Sequence, residues 1–203
     1  MANTSKINGF RPVKHLNGSP YNGQANLYYV SSATDEILVG DVVKLAGSAD
    51  ANGIPSVDIS GTTDVAVGVV VGLMHSKFDP SGKMTTGAVS LDLPAAAQIA
   101  VSGTGYVLVA DSPDVVYEVE TSNGTLAVAD IGLNVTPAMG ARTTTTVTSP
   151  ATIDMGTEST TNTLMFKILG VSQKVGNEAA AASAKALVMF NAHQFGSVGT
   201  TGL

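Results

Sequence analysis

Residues that could perform catalytic or metal chemistry are few and widely separated in this sequence of 203 residues. The three histidines, His15, His75 and His193, show no His-x-x-x-His or other ligand spacing, so we interpret them as solvated or interface residues in preference to metal ligands. Cysteine is absent, which excludes thiolate metal sites and disulfide scaffolds. The sequence therefore predicts no metal site and gives no reason to expect a cofactor.

Two short motifs could suggest phosphate binding or acid/base catalysis. The stretch VSGTGY (101–106) contains Gly-x-Gly, but the strand-like YVLVAD comes after it, whereas a nucleotide loop needs a helix there. The stretch DSPD (111–114) holds two carboxylates around a proline, and turn formation explains it better than an acid/base pair or a calcium loop. We therefore predict that the protein is not an enzyme, with no catalytic residue and no small-molecule substrate.

The N-terminal segment NGFRPVKHLNGSPYNGQ (8–24) has a composition unlike the rest of the chain. Its two prolines each remove a backbone donor, and its Asn-Gly pairs at 17–18 and 22–23 favour turns. We interpret residues 1–25 as an extended arm whose exposed aromatic and basic side chains bind a partner; the alternative is a disordered tail with incidental aromatic residues. The predicted binding residues are Phe10, Arg11, Pro12, Lys14, Leu16 and Tyr21.

The formal net charge of −6 is unevenly distributed along the chain. Residues 1–30 contain three basic residues and no acidic one, so the remainder carries the other seven basic residues against all 16 acidic residues. An acidic body repels nucleic acid, whereas a basic arm can meet an acidic protein surface, so we expect a protein partner and no nucleic acid. No apolar run is long enough to span a bilayer, and residues 1–10 lack the apolar core of a secretory signal, so we expect synthesis in the cytoplasm and no membrane partner.

The rest of the sequence predicts a mainly β protein. Short Val-rich apolar runs are separated by Gly, Asp, Asn and Pro, which favours antiparallel strands in a sandwich or barrel with at most short helical turns. Residues 26–195 should form this β-rich body, and residues 196–203 a flexible C-terminal tail. The candidate strands are 27–32, 36–46, 65–74, 88–93, 98–103, 106–111, 115–121, 164–172 and 184–190.

Three of the β segments carry more detailed signals. Alternation in 115–121 predicts a strand with one buried face and one exposed face that carries the glutamates. The segment 65–74 lacks alternation, which predicts either a central strand buried on both faces or a strand that bends at Gly68 and Gly72. The Thr-rich segment 143–163 favours an edge strand over disorder.

Helical and loop signals are weak by comparison. The segment 128–134 predicts a short turn. The segment 177–186 contains good helix formers but is short and lacks an apolar stripe, so a short helix, one or two exposed turns, and an elongated loop are all compatible with it. The polar, turn-rich stretches 47–64 and 75–87 predict loops. No internal repeat of fixed period is visible.

Several blocks of the sequence, in order along nearly the whole chain, resemble the capsid decoration (cement) proteins of tailed bacteriophages. That resemblance implies a β-rich, often trimeric protein that binds the outside of an icosahedral head and bridges neighbouring major capsid protein subunits. It implies a structural virion protein on the capsid exterior, made in the host cytoplasm. The blocks are NGFRPVKHLNGSPYNGQANLYYV, VGDVVKLAGSADANGIPSVD, GVVVG, YVLVADSPDVVYEVE, ADIGLN and LMFKILGVSQKVGNEAAAASAKALVMFNAHQF.

A second interpretation is a β-rich receptor- or glycan-binding module of a phage tail or a cell surface. Aromatic residues make up only 5% of the chain and tryptophan is absent, which argues against a sugar-stacking face. A decoration protein that binds the major capsid protein as a homotrimer is therefore the preferred interpretation.

Overall fold

The computed structural model describes residues 3–74, 98–99, 104–143, 146–196 and 202. This part of the chain is mainly β, as predicted, with thirteen strands and one 3₁₀ turn at Val128–Asp130. None of its helical segments is long and apolar enough to cross a membrane. In chain order the strands are β1 (Arg11–His15), β2 (Asn26–Val30), β3 (Ile37–Leu38), β4 (Val42–Ala49), β5 (Pro55–Ile59), β6 (Gly68–Met74), β7 (Gln98–Ile99), β8 (Gly105–Ala110), β9 (Val115–Ser122), β10 (Asn134–Ala138), β11 (Thr152–Ser159), β12 (Phe166–Val171) and β13 (Lys185–Phe190).

Five strands between residues 26 and 110 close into a barrel with the order β2-β5-β4-β6-β8. The β2–β5 pairing is parallel, and the other pairings are antiparallel. β-branched side chains suit this small interior because they pack well from a pleated strand. The buried cluster accordingly consists mostly of valines around Tyr28 and Ile37, including Val43, Val70 and Val107.

Strand β6 shows the bend that its glycines predict. The register against β8 shifts between Val70 and Gly72, so an extra residue bulges out of the ladder there. At Gly68 a Cβ atom would lie 2.3 Å from the Ala110 carbonyl oxygen, so only glycine allows this approach of the two strands.

The strands between residues 115 and 190 close in the same way. Strands β9, β11, β10, β12 and β13 pair in that order, and β13 pairs back with β9. The β9–β11 pairing is parallel, and the others are antiparallel. Tyr117, Ile153, Phe166, Ile168 and Val188 are fully buried in its core.

The two barrels therefore have one topology, in which the first strand pairs with the third and fifth, and the second pairs with the third and fourth. Tyr28 and Ile37 of the first barrel correspond to Tyr117 and Leu126 of the second, separated by the same number of residues, and all four are buried. Later loops differ in length, so the spacing between equivalent residues changes along the chain. The fold repeats without a fixed sequence period, which is why the sequence shows none.

The prediction that residues 1–25 form an arm separate from the β-rich body is wrong for the described residues of that segment. Strand β1 pairs antiparallel with β9, with Arg11 opposite Glu118 and His15 opposite Val115. Phe10, predicted to be an exposed anchor, is only 1% exposed, and its ring stacks on Phe166 with a centroid distance of 4.5 Å. The segment is part of the β-rich body because burial of the Phe10 ring in the core is favourable.

Several other expectations also need correction. Strand β5 lies within the predicted loop 47–64, and β10 was not predicted at all. The Thr-rich segment does contain a strand, β11, but it lies between β9 and β10 and is not an edge. Of the alternatives for 177–186, the structure has the turns and not the helix, with β13 beginning at Lys185. The predicted strand 88–93, the predicted loop 75–87 and most of the predicted tail lie outside the described residues.

Among the described residues, three segments join the two barrels. The backbone N–H of Phe10 donates to the Gly40 carbonyl over 2.9 Å, which ties the N-terminal segment to the first barrel. The loop before β11 brings Arg142 to Asp41, with nitrogen–oxygen distances of 2.8 and 3.0 Å. Near the C terminus, Gln194 N–H donates to the Ala66 carbonyl over 2.9 Å. The junction is therefore fixed by hydrogen bonds as well as by shared core.

Candidate functional site

An open groove of about 450 Å³ runs beside β1 where the two barrels meet. One wall is formed by Pro12 and Tyr21 of the N-terminal segment, and the other by Val39 and Val71 of the first barrel. Val39 is 42% exposed, so apolar surface is accessible to a partner. We call this feature the β1 groove.

Two glycines bring the walls of the β1 groove together. Gly9 has φ +63° and Gly40 has φ +97°, a region that favours glycine. A Cβ atom on Gly9 would lie 2.5 Å from the Gly40 carbonyl oxygen and 2.6 Å from Cβ of Ser149. The groove therefore depends on a backbone approach that a larger residue would prevent.

The rim of the β1 groove carries a positive charge. Arg11 lines the groove, its side chain is exposed, and within the described part of the chain it forms no ion pair. The Tyr21 hydroxyl donates to the Gln24 carbonyl over 2.7 Å, and burial, followed by the charge of Asp111, raises the pKa of Tyr21. An apolar floor beside an exposed guanidinium can hold an apolar partner residue and a carboxylate together.

The structure brings four of the six predicted binding residues to this groove: Phe10, Arg11, Pro12 and Tyr21. Phe10 contributes from the core and is not free to enter a partner's pocket. Lys14 and Leu16 are exposed but do not line the groove. Sequence reasoning missed Val39 and Val71, because an exposed valine in a Val-rich run has no local signal that separates it from a core valine.

The two glutamates of β9, Glu118 and Glu120, are the strongest alternative candidates for a functional site, but their contacts are structural. They were predicted on an exposed face, yet Glu118 is 6% and Glu120 is 3% exposed. Glu118 accepts from Lys174 at 2.7 Å and from Ser172 at 2.6 Å. Burial opposes ionisation of Glu118, but these bonds outweigh it and lower the pKa of the carboxyl.

Glu120 is held in the same manner. Its carboxylate accepts from the Ser5 hydroxyl at 2.6 Å, the Lys6 backbone N–H at 2.8 Å and the Lys185 ammonium at 2.8 Å. Burial again opposes ionisation, and the bonds led by that of Lys185 lower the pKa of Glu120. Both oxygens have partners, so this carboxylate fastens the N-terminal segment to β9 instead of exchanging protons with a substrate.

A Ser–Asp–His group occurs at the turn 111–114, and it lacks the order of a nucleophilic triad. Ser112 donates to Asp114 over 2.5 Å, and His15 Nδ1 lies 3.2 Å from the other Asp114 oxygen. The Ser112 hydrogen bond lowers the pKa of Asp114, with His15 adding to the effect. Because the serine contacts the carboxylate and not the imidazole, nothing in this group activates it as a nucleophile. The stretch forms a turn, as predicted.

The histidines in the described residues are buried and not solvated. His15 is 9% exposed, and His193 is 3% exposed beside Phe190 and Phe195. Burial lowers the pKa of His193. Among the described residues, no three His, Cys, Asp or Glu side chains come together in a way that could hold a metal ion. His75 lies outside the described residues.

Comparison with protein-family models, with curated proteins and with solved structures finds no match to this chain.

Proposed function

We propose that this protein is a structural virion protein that binds the outer surface of a phage head and bridges major capsid protein subunits. The resemblance of its sequence blocks to decoration proteins suggests the class. The β1 groove supplies the observation that carries the proposal, because it places Arg11, which has no ion pair among the described residues, beside accessible apolar surface.

The binding mode differs from that of a flexible arm. The N-terminal segment is already ordered by Phe10, by β1 and by Glu120, so little conformational entropy remains to be lost there on association. An apolar residue of the capsid subunit would enter the groove between Tyr21 and Val39, and a neighbouring carboxylate would accept from Arg11. The protein therefore acts as a preformed surface.

A homotrimer is part of the proposal. Decoration sites on icosahedral heads have local symmetry, and a symmetric oligomer can match it. Three copies of the β1 groove would then bind neighbouring capsid subunits together, and this multivalency would raise the overall affinity without new contacts.

Co-sedimentation of the purified protein with empty heads tests the proposal. Val39→Asp places a charge in the groove, and we expect it to weaken binding strongly. Val65→Asp is the matched control, because Val65 is 46% exposed and does not line the groove. Equal binding of both variants and the unchanged protein would contradict the groove as the capsid site.

A receptor- or glycan-binding role remains the second candidate because of one observation. A polar cavity of about 510 Å³ lies beside the turn at the end of β1, lined by His15, Asn17, Ser19, Asn22, Gln24 and Asp114 among others. Amide, hydroxyl and carboxylate groups of this kind hydrogen-bond sugar hydroxyls. Binding on a glycan array that Asn22→Ala abolishes, without binding to heads, would favour this role over the capsid.

A further inference from the structure

The same four-residue turn occurs between the first and second strands of each barrel. In the first barrel the turn is 38–41, where the Leu38 N–H donates to Asp41 Oδ2 over 2.7 Å. In the second barrel the turn is 127–130, where the Ala127 N–H donates to Asp130 Oδ2, also over 2.7 Å. In both turns the backbone N–H of the aspartate donates over 3.2 Å to the carbonyl of the first turn residue, Leu38 or Ala127. We call them the Asp41 turn and the Asp130 turn.

The Asp41 turn shows what such a turn can bind. Arg142, from a loop of the other barrel, donates to both oxygens of Asp41 and to the Glu36 carbonyl. The Ser149 hydroxyl completes the set at 2.5 Å. Asp41 is fully buried beneath this loop. Burial raises the pKa of Asp41, and the adjacent Arg142 and Ser149 oppose that rise.

The Asp130 turn has no such cover within the described chain. Val128 at its tip is 79% exposed, whereas Val39 at the equivalent position is 42% exposed. Asp130 is partly exposed and forms no ion pair among the described residues. Its Oδ2 accepts from the Ala127 N–H, and its carboxylate can accept further hydrogen bonds from a guanidinium, as the Asp41 carboxylate does.

The two turns differ in the length of chain that leads to the next strand. β4 starts directly after Asp41, whereas three residues separate Asp130 from β10. The Asp130 turn is therefore not continuous with the next strand, and Val128 at its tip is accessible to a loop from another molecule.

We propose that the Asp130 turn is a docking point for an arginine-bearing loop of a partner protein, bound as Arg142 is bound at the Asp41 turn. The negative charge of Asp130 and the way Arg142 binds Asp41 specify the occupant. It is a guanidinium that donates to both oxygens of Asp130, with an apolar residue of the same loop covering Val128. This inference rests on the equivalence of the two turns and not on the proposed capsid role or on the β1 groove.

The chain's own loop supplies the probe. A synthetic peptide of residues 138–151 (AMGARTTTTVTSPA) carries the arginine and serine that bind Asp41. Added to the full chain, it should bind weakly and shift the backbone NMR signals of residues 127–130, with the binding weakened by salt. Asp130→Asn keeps an oxygen for the Ala127 N–H but removes the charge.

We expect Asp130→Asn, and separately a peptide with glutamine in place of its arginine, to weaken binding about tenfold or more, since a charge-assisted pair is lost. Glu158→Gln removes an exposed charge elsewhere and should change binding less than about twofold. The inference is overturned if the peptide shifts no signal at 127–130, or if Asp130→Asn binds it unchanged. Self-association of the chain that depends on Asp130, without peptide binding, would identify a second copy as occupant and would also overturn it. Because no heads are used, failure here leaves the groove proposal standing.

Discussion

Phe10→Ala should destabilise the whole protein, not merely detach its N terminus. The ring is 1% exposed, stacks on Phe166 at 4.5 Å and belongs to the core cluster that both barrels share. Truncating a buried Phe to Ala removes transfer free energy and leaves a cavity, at a cost of about 3–5 kcal/mol. For a chain of this size that corresponds to a fall in Tm of roughly 6–20 °C.

Chemical denaturation monitored by circular dichroism measures this effect directly. Leu16→Ala is the matched control, because Leu16 lies close by in sequence but is 57% exposed, and it should lose less than about 0.5 kcal/mol. A loss under about 1 kcal/mol for Phe10→Ala would refute the reasoning, since it would mean that the ring leaves the core at little cost and that the segment is a separable arm after all. Deletion of residues 1–24 should then be harmless, whereas the structure predicts severe destabilisation.

Three further predictions concern the junction between the barrels and the attachment of the N-terminal segment. Gly9→Ala should lower the free energy of unfolding by more than about 1 kcal/mol in urea titration, because its Cβ would lie 2.5 Å from the Gly40 carbonyl oxygen in a left-handed backbone region. Arg142→Met should cost about 3–5 kcal/mol at pH 7, since Asp41 would keep a buried charge without its partner, and stability should recover in part as the pH falls and Asp41 protonates; a flat profile would contradict this. The pKa of Glu120 is lower in the folded protein than its ordinary value of 4.5, so Glu120 contributes fully to the free energy of unfolding above pH 4.5, and this contribution is lost as the pH falls through the folded pKa. In pH-dependent melting curves, Glu120→Gln should therefore reduce the fall in Tm at acidic pH.

The fold class could be predicted because it depends on local composition. Val-rich runs gave β6 and β8 at nearly their observed positions, and Gly72 marked the bulge. Strand β5 was missed because its sequence, PSVDI, contains Pro55 and Asp58, which are typical of loops. Its state is decided by pairing with β4, and that contact lies outside any local window.

The candidate site was only partly predictable for a related reason. The unusual composition of residues 8–24 singled out a segment whose accessible residues Arg11, Pro12 and Tyr21 line the β1 groove. Burial of Phe10 depends on Phe166, and burial of Glu120 depends on Lys185 and Ser5, all distant in sequence. Exposure is set by such tertiary contacts, so a pattern of residue types cannot distinguish a core aromatic from a surface anchor.

The pairing of β1 with β9 also sets an order of events during synthesis. β1 leaves the ribosome before its partners, because its partner strand begins at Val115 and the ring that stacks on Phe10 belongs to Phe166. Domains fold as units while the chain emerges, and contacts between distant residues form late. The first barrel can therefore close while residues 3–15 are still unpaired, and β1 is fixed only after the second barrel has formed.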